Sequence, residues 1–308
     1  MSSILPPYLK AGDTIGMACP SGYMPLEKAQ RCIETLQQWG FKVDVGKTVG
    51  NQFNYFSGTD EERLYDLQRM VDDENIKAIY CGRGGYGLSR IIDKINFSKF
   101  VQQPKWIIGF SDITLLHAHI YSNFNIAGLH APMAAAFNEI EENEIYIQSI
   151  FDSLTGKQQS YTTALHHLNR NGACEGELIG GNLALLTHII GSSSDIDTKN
   201  KLLFIEDVGE YKYNIDRMLM QLKRAGKLDS LSGLIVGSFT EMKDTTIPYG
   251  KNLQEIIFDA VNEYDYPVCF DFPIGHVKEN YALKVGVEYR LRTSKTLTLL
   301  EEIVENFN

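Results

Sequence analysis

"KWIIGFSDITLLHAH", Lys105 to His119, joins two patterns in one short stretch. Its first part is an apolar run, Trp106-Ile107-Ile108, which reads as a buried strand. Its second part carries apolar residues at helical spacing. Between them lies Gly109-Phe110-Ser111-Asp112, so a strand turns directly into a helix around a serine. Ser111 has two readings there. It caps the helix, accepting a backbone N–H bond worth about 1 kcal/mol, or it is a nucleophile held at the rim of a sheet.

The same rhythm recurs upstream. "DTIGMACPSG" reads as a strand and turn, and "PLEKAQRCIETLQQWG" as a helix stopping at Gly40. "FKVDVG" alternates as a strand. "TDEERLYDLQRMVDDEN" opens with Thr59 and acidic residues, a helix start. "IKAIYCGRGG" is an apolar run entering a glycine loop, followed by "LSRIIDKI" as helix. "NIAGLHAPM" reads as one further strand. Alternating strand and helix predicts an α/β fold whose N-terminal half is a parallel, Rossmann- or flavodoxin-like sheet with helices on both faces. The pattern breaks near Ala134. Residues 1–135 are expected to form one domain, 136–165 a connection, and 166–308 a mixed α/β domain rich in strands. That second domain alternates strands such as "KLLFIEDVGE" and "LSGLIVGSF" with helices such as "NLALLTHIIG" and "NIDRMLMQLKRAG". "LKVGVEYRLRTSKTLTLLE" is expected to contain a hairpin.

The formal charge of −10 argues against a nucleic-acid partner, which needs a basic face. No apolar run is long enough to span a bilayer, so no membrane partner is expected. The N-terminal stretch lacks the pattern of a secretory signal. Five scattered cysteines, with no Cys-x-x-Cys pair, predict a reducing compartment and argue against a cysteine zinc site.

In an open parallel sheet, ligands collect where strand ends meet helix N-termini. The loop Gly82-Arg83-Gly84-Gly85-Tyr86-Gly87 matches G-x-G-x-x-G, but it follows the third strand rather than the first. Three readings stand: a nucleotide site, a tight turn needing positive φ, or bare N–H groups aimed at developing negative charge. A nucleophilic Ser111 needs a histidine and a group to orient it. His276, in the loop "FPIGHVKEN", and His130, ending a strand, are candidates. His117 and His119 face different ways on their helix. His188 reads as packed on an apolar helix face. Glu206 and Asp207 end an apolar strand, where a carboxylate either orients an imidazole or caps a helix. A metal site from Glu206, Asp207, Glu210 and His276 lacks the usual ligand spacing, and none is expected.

Taken in order, "LKAGDTIGMACPSG", "GRGGYGLSR", "GFSDIT", "LHAPM", "GELIGGNLALL", "LFIEDVGEYKYNIDRMLMQL" and "FPIGHVKEN" resemble the LD-carboxypeptidase family of serine peptidases. That family includes muramoyltetrapeptide carboxypeptidases and microcin C immunity peptidases. The resemblance implies Ser111 as nucleophile, His276 as general base and Glu206 as the carboxylate orienting it. Backbone N–H groups of Gly85 and Asp112 would form the oxyanion hole, and Arg83 is a candidate for the substrate's carboxylate. It further implies a cytoplasmic homodimer, without cofactor, releasing D-alanine from murein tetrapeptides. Cleavage of peptide–nucleotide conjugates and non-enzymatic nucleotide binding are the alternatives. Two departures stand out: Ala131 replaces the usual glycine, and Lys284-Val285-Gly286 stands where the family has proline-glycine, expected in the loop near His276.

Overall fold

The computed structural model describes residues 3–304, without the side chains of residues 140, 142 and 143. Two sheets organise it. The first contains β1 (Thr14–Ala18), β2 (Lys42–Val45), β3 (Ile76–Cys81), β4 (Trp106–Ile108), β5 (Gly128–His130) and β11 (Leu283–Val285), in the order β11-β5-β4-β3-β1-β2. Its first five strands are parallel, in the doubly wound order 2-1-3-4-5. The strand order reverses between β1 and β3, so the loops after these strands open a crevice at their carboxyl ends. Strand β11 comes from the C-terminal part of the chain and pairs antiparallel with β5.

Helices cover both faces of this sheet. On one face, Cys32 and Leu36 of α1 (Leu26–Gln38) and Ile147 and Ile150 of α5 (Ile140–Leu154) pack against Ile15, Met17 and Ile108. On the other lie α2 (Asp60–Asp72), α3 (Ser98–Gln102) and α4 (Thr114–Phe124). Helix α2 starts at Thr59 with a capping box, the Thr59 hydroxyl accepting from Glu62 N–H and the Glu62 carboxylate from Thr59 N–H. The stretch "LSRIIDKI" is not one helix. It forms two short 3₁₀ turns, Leu88–Arg90 and Ile92–Lys94, broken where Ile91 leaves the helical region at φ −125°.

The second sheet runs β10-β9-β8-β7-β12-β13-β6. Strands β7 (Gly172–Asn182), β8 (Leu202–Val208), β9 (Gly233–Thr240) and β10 (Val268–Cys269) are parallel. Strands β12 (Glu288–Thr293) and β13 (Thr298–Glu302) form the expected hairpin, extended by β6 (Ser160–Thr163). Helices α6 (Leu183–His188), α7 (Lys212–Arg224) and α8 (Leu253–Val261) connect the parallel strands. One apolar cluster runs from α2 and α4 through Leu183, Leu203 and Ile205 to Leu219 and Ile257, so both sheets share a core. Among the described residues no helix is long and apolar enough to cross a membrane.

Lys284 and its neighbours do not form a loop. Lys284 lies within β11, fully buried, with Nζ 2.7 and 3.0 Å from the two oxygens of Glu302 on β13. The pair spans the two sheets. Breaking it leaves an uncompensated buried charge, so Lys284→Met should cost about 3–5 kcal/mol in urea unfolding. Lys284→Met/Glu302→Gln should recover part of that loss. A second buried group sets acid sensitivity. His117 Nε2–H donates to Gly109 O at 2.9 Å, while Nδ1 faces Gly128 without a partner among the described residues. Burial pushes this imidazole down to about 4. Its folded-state value lies below the unfolded one near 6.5, so its contribution is complete at neutral pH. It is lost as pH falls from about 6.5 to 4, by up to about 3 kcal/mol. His117→Gln should flatten the stability–pH curve across that window relative to wild type; parallel curves would contradict the assignment.

Candidate functional site

The turn between β4 and α4 shows that Ser111 does not cap the helix. Phe110 is extended, and Ser111 then takes φ +63°, a left-handed conformation that costs a non-glycine residue energy. The chain passes through a 3₁₀ turn, Ser111–Ile113, into α4. No side-chain cap bond is made at the start of either segment. The hydroxyl is therefore not spent on capping. The glycine loop crosses directly over it: a Cβ on Gly84 would lie 2.9 Å from Ser111 Cβ and 3.2 Å from Asp112 N. Only glycine allows that approach.

Buried polar groups lock the loops in place. Asp112 Oδ2 accepts from Ser21 Oγ at 2.6 Å and Leu88 N–H at 2.9 Å, tying together the loops after β1, β3 and β4. Burial raises the Asp112 carboxyl above its usual range, offset by these donors and by Arg63. Arg63 on α2 is fully buried and donates to Pro20 O at 2.6 Å and Gly87 O at 3.0 Å. Its guanidinium lies 4.8 Å from the centre of the Phe56 ring. Neither Ser21 nor Arg63 was visible as a site residue in the sequence, because an arginine in an acidic amphipathic helix reads as surface.

The second sheet contributes the other components. Phe204 and Glu206 share one face of β8, and Asp207 the other, by strand alternation. Glu206 is fully buried and its Oε2 accepts from His276 Nδ1–H at 2.7 Å. Gly275, at φ +110°, brings the backbone so close that a Cβ there would meet Glu206 Cβ at 2.8 Å. The His276 ring packs on Phe110 at 4.8 Å between centroids. The second sheet's imidazole thus stands against the residue preceding Ser111. With Nδ1–H held by a carboxylate, Nε2 is left as a proton acceptor.

Asp207 is taken by a different task. It accepts from Asn182 Nδ2 and Ala184 N–H, both at 3.0 Å, at the start of α6. Burial pushes its carboxyl up to about 6 against those donors. Glu210 accepts from Asn214 instead. Of the four residues weighed as metal ligands only Glu206 and His276 meet, and no group of three or more such residues is placed to hold a metal among the described residues. His130 is buried beside Phe110 and Phe204 with neither ring nitrogen partnered among the described residues. His188 is exposed, not packed, because α6 ends there. Arg83 is exposed and anchored through Nη1 to Tyr23 O at 2.7 Å.

Residues 15–131 match the LD-carboxypeptidase N-terminal domain and residues 175–291 its C-terminal domain. A probable murein peptide carboxypeptidase of Bacillus subtilis is 35% identical, over 96% of this chain and 94% of its own. The crystal structure of muramoyltetrapeptide carboxypeptidase from Oxalobacter formigenes superposes with a TM-score of 0.85 at 26% identity, covering 94% of this chain and 98% of that one. The microcin C7 self-immunity protein MccF of Escherichia coli is 28% identical, over 96% of this chain and 95% of its own. The two matched stretches contain Gly84, Ser111, Glu206 and His276. This chain belongs to the LD-carboxypeptidase family and is a peptidase.

Proposed function

We propose that this protein is a serine L,D-carboxypeptidase that removes the terminal D-alanine from murein tetrapeptides, a step of cell-wall recycling. The observation that carries this is the Glu206–His276 pair, held at 2.7 Å and packed against the neighbour of a conformationally strained Ser111. Likeness to the Bacillus and Oxalobacter carboxypeptidases supports the substrate class.

In this reading Ser111 Oγ attacks the carbonyl carbon preceding D-alanine while His276 Nε2 takes its proton. Glu206 stabilises the resulting imidazolium without itself being protonated. The negative oxygen of the tetrahedral species is met by the N–H groups of Gly85 and Asp112. His276 returns the proton to the leaving amine, the C–N bond breaks, and D-alanine departs. Water, deprotonated by the same imidazole, then cleaves the acyl-enzyme ester. Arg83 offers the positive charge for the substrate's free carboxylate. These steps call on side chains and backbone alone. The cytoplasmic location and homodimer belong to the same proposal and rest on the family resemblance.

A second reading is favoured by the comparable likeness to MccF: cleavage of peptide–nucleotide conjugates by the same residues. Measuring D-alanine release from murein tetrapeptide beside cleavage of an aminoacyl sulfamoyl adenosine separates the two. Ser111→Ala and His276→Ala should each lower kcat by about 10⁴- to 10⁶-fold. Glu206→Ala should cost less, yet far more than Asp207→Ala, which should chiefly lower stability. Equal losses in kcat from the two carboxylates would reject Glu206. A small fluorophosphonate should add one adduct at Ser111 by intact mass; no adduct, with an active Ser111→Ala variant, would end the serine mechanism.

A further inference from the structure

Three consecutive residues of the glycine loop meet three different things. Gly84 lies over Ser111, as described. Gly85 lies under Tyr55: a Cβ on Gly85 would fall 2.8 Å from the Tyr55 hydroxyl. Arg83 reaches back to Gly22, where an added Cβ would be 3.7 Å from its Nε and 3.8 Å from the Tyr55 ring. Tyr55 and Arg83 therefore converge on the same small patch of backbone, one residue along from the nucleophile.

Tyr55 is held there. It sits in a tight turn closed by reciprocal backbone bonds between Phe53 and Phe56, at 2.9 and 3.0 Å. Its own carbonyl accepts from Tyr23 N–H at 3.0 Å. Its ring packs edge-on to Phe56 at 5.4 Å, and Phe56 in turn carries the buried Arg63 guanidinium. Despite this anchoring, half of the residue is exposed, and its hydroxyl makes no hydrogen bond to any described residue. A donor fixed in place and left unpaired beside a guanidinium suits an anion.

Geometry limits which anion. In a peptide cut one residue from its end, the scissile carbonyl and the terminal carboxylate belong to adjacent residues, whose Cα atoms are about 3.8 Å apart. A carboxylate seat must therefore lie about one residue from Ser111; Gly85, the chain neighbour of the Gly84 that rests on Ser111, has the Tyr55 hydroxyl against it, with Arg83 close by at Gly22. We propose that Tyr55, with Arg83, seats the terminal carboxylate of the substrate and so makes this peptidase act on free C-termini. This rests on the proposed activity for its substrate and adds Tyr55 as the specificity-determining residue.

The test uses Nα-acetyl-L-lysyl-D-alanine and its carboxamide with the full chain and Tyr55→Phe. Losing one hydrogen bond to a charged group should raise KM for the acid about tenfold or more. Its kcat should stay within about threefold, and kcat/KM for the carboxamide should not change. The acid-over-amide preference should thus fall by the factor lost in KM. An unchanged preference, or equal losses on both compounds as from a merely structural role, would overturn the proposal. Calorimetry of both compounds with Ser111→Ala, alone and combined with Tyr55→Phe, reads the seat without turnover. With Tyr55 present the acid should bind more tightly than the amide, and in the double variant that margin should shrink about tenfold; no margin with Tyr55 present, or a margin that Tyr55→Phe leaves unchanged, overturns the seat even if wild type cleaves. A clear difference with no D-alanine released by wild type would instead overturn the activity and uphold the seat.

Discussion

The docking of α4 between the two sheets is the constraint on which the rest depends. Every side chain from Thr114 to Tyr121 is buried, so this helix has no solvent face along most of its length. One side meets the first sheet. The other is bonded to the second unit: Thr114 Oγ1 accepts from Asn182 N–H at 3.0 Å, His119 Nδ1 lies 2.9 Å from Ser194 Oγ, and Tyr121 donates to Glu177 at 2.7 Å. A helix without a solvent face is stable only when its apolar residues are enclosed on all sides and its polar ones are paired. Because the Ser111 turn leads from β4 directly into α4, enclosing the helix delivers the serine to the second sheet beside β7.

Once that junction is set, the remaining components are brought together by short backbone approaches rather than long side chains. The glycine loop rests on Ser111 through Gly84, and the His276 loop rests on Glu206 through Gly275. Such contacts leave little slack, which is what preorganised donors require. The supporting polar groups are buried and paired with backbone and with other side chains. Arg63 binds the carbonyls of two loops, and Asp112 gathers a hydroxyl and an amide. Their role is to hold loops that lack regular structure at fixed separations.

Local pattern explains why most of the architecture was legible. Apolar runs of three to six residues between amphipathic helices produced β1, β3, β4 and β8, and Thr59 with Glu62 marked the start of α2. What failed were short or edge elements. Strand β6, "SYTT", is only four residues at the sheet margin and has no apolar run. "LSRIIDKI" has helical spacing, yet the loop geometry set by Gly87 and the Asp112 bond to Leu88 N–H leaves room only for 3₁₀ turns. Lys284 in an apolar strand reads as loop or edge until Glu302, distant in the chain, is found beside it.

By itself the order of residues determined the doubly wound sheet, the serine at a strand-to-helix junction, the glycine loop and the two carboxylates ending β8, because each follows from side-chain periodicity within one segment. Tertiary structure alone decided which carboxylate meets His276. Adjacent residues of β8 face opposite ways, and only the packed neighbours reveal that the Glu206 face looks toward the site while Asp207 serves α6. It also decided that Ser111 is strained rather than capping, and that Tyr55 stands over Gly85. Those facts depend on loops remote in sequence meeting in space, which no local pattern encodes.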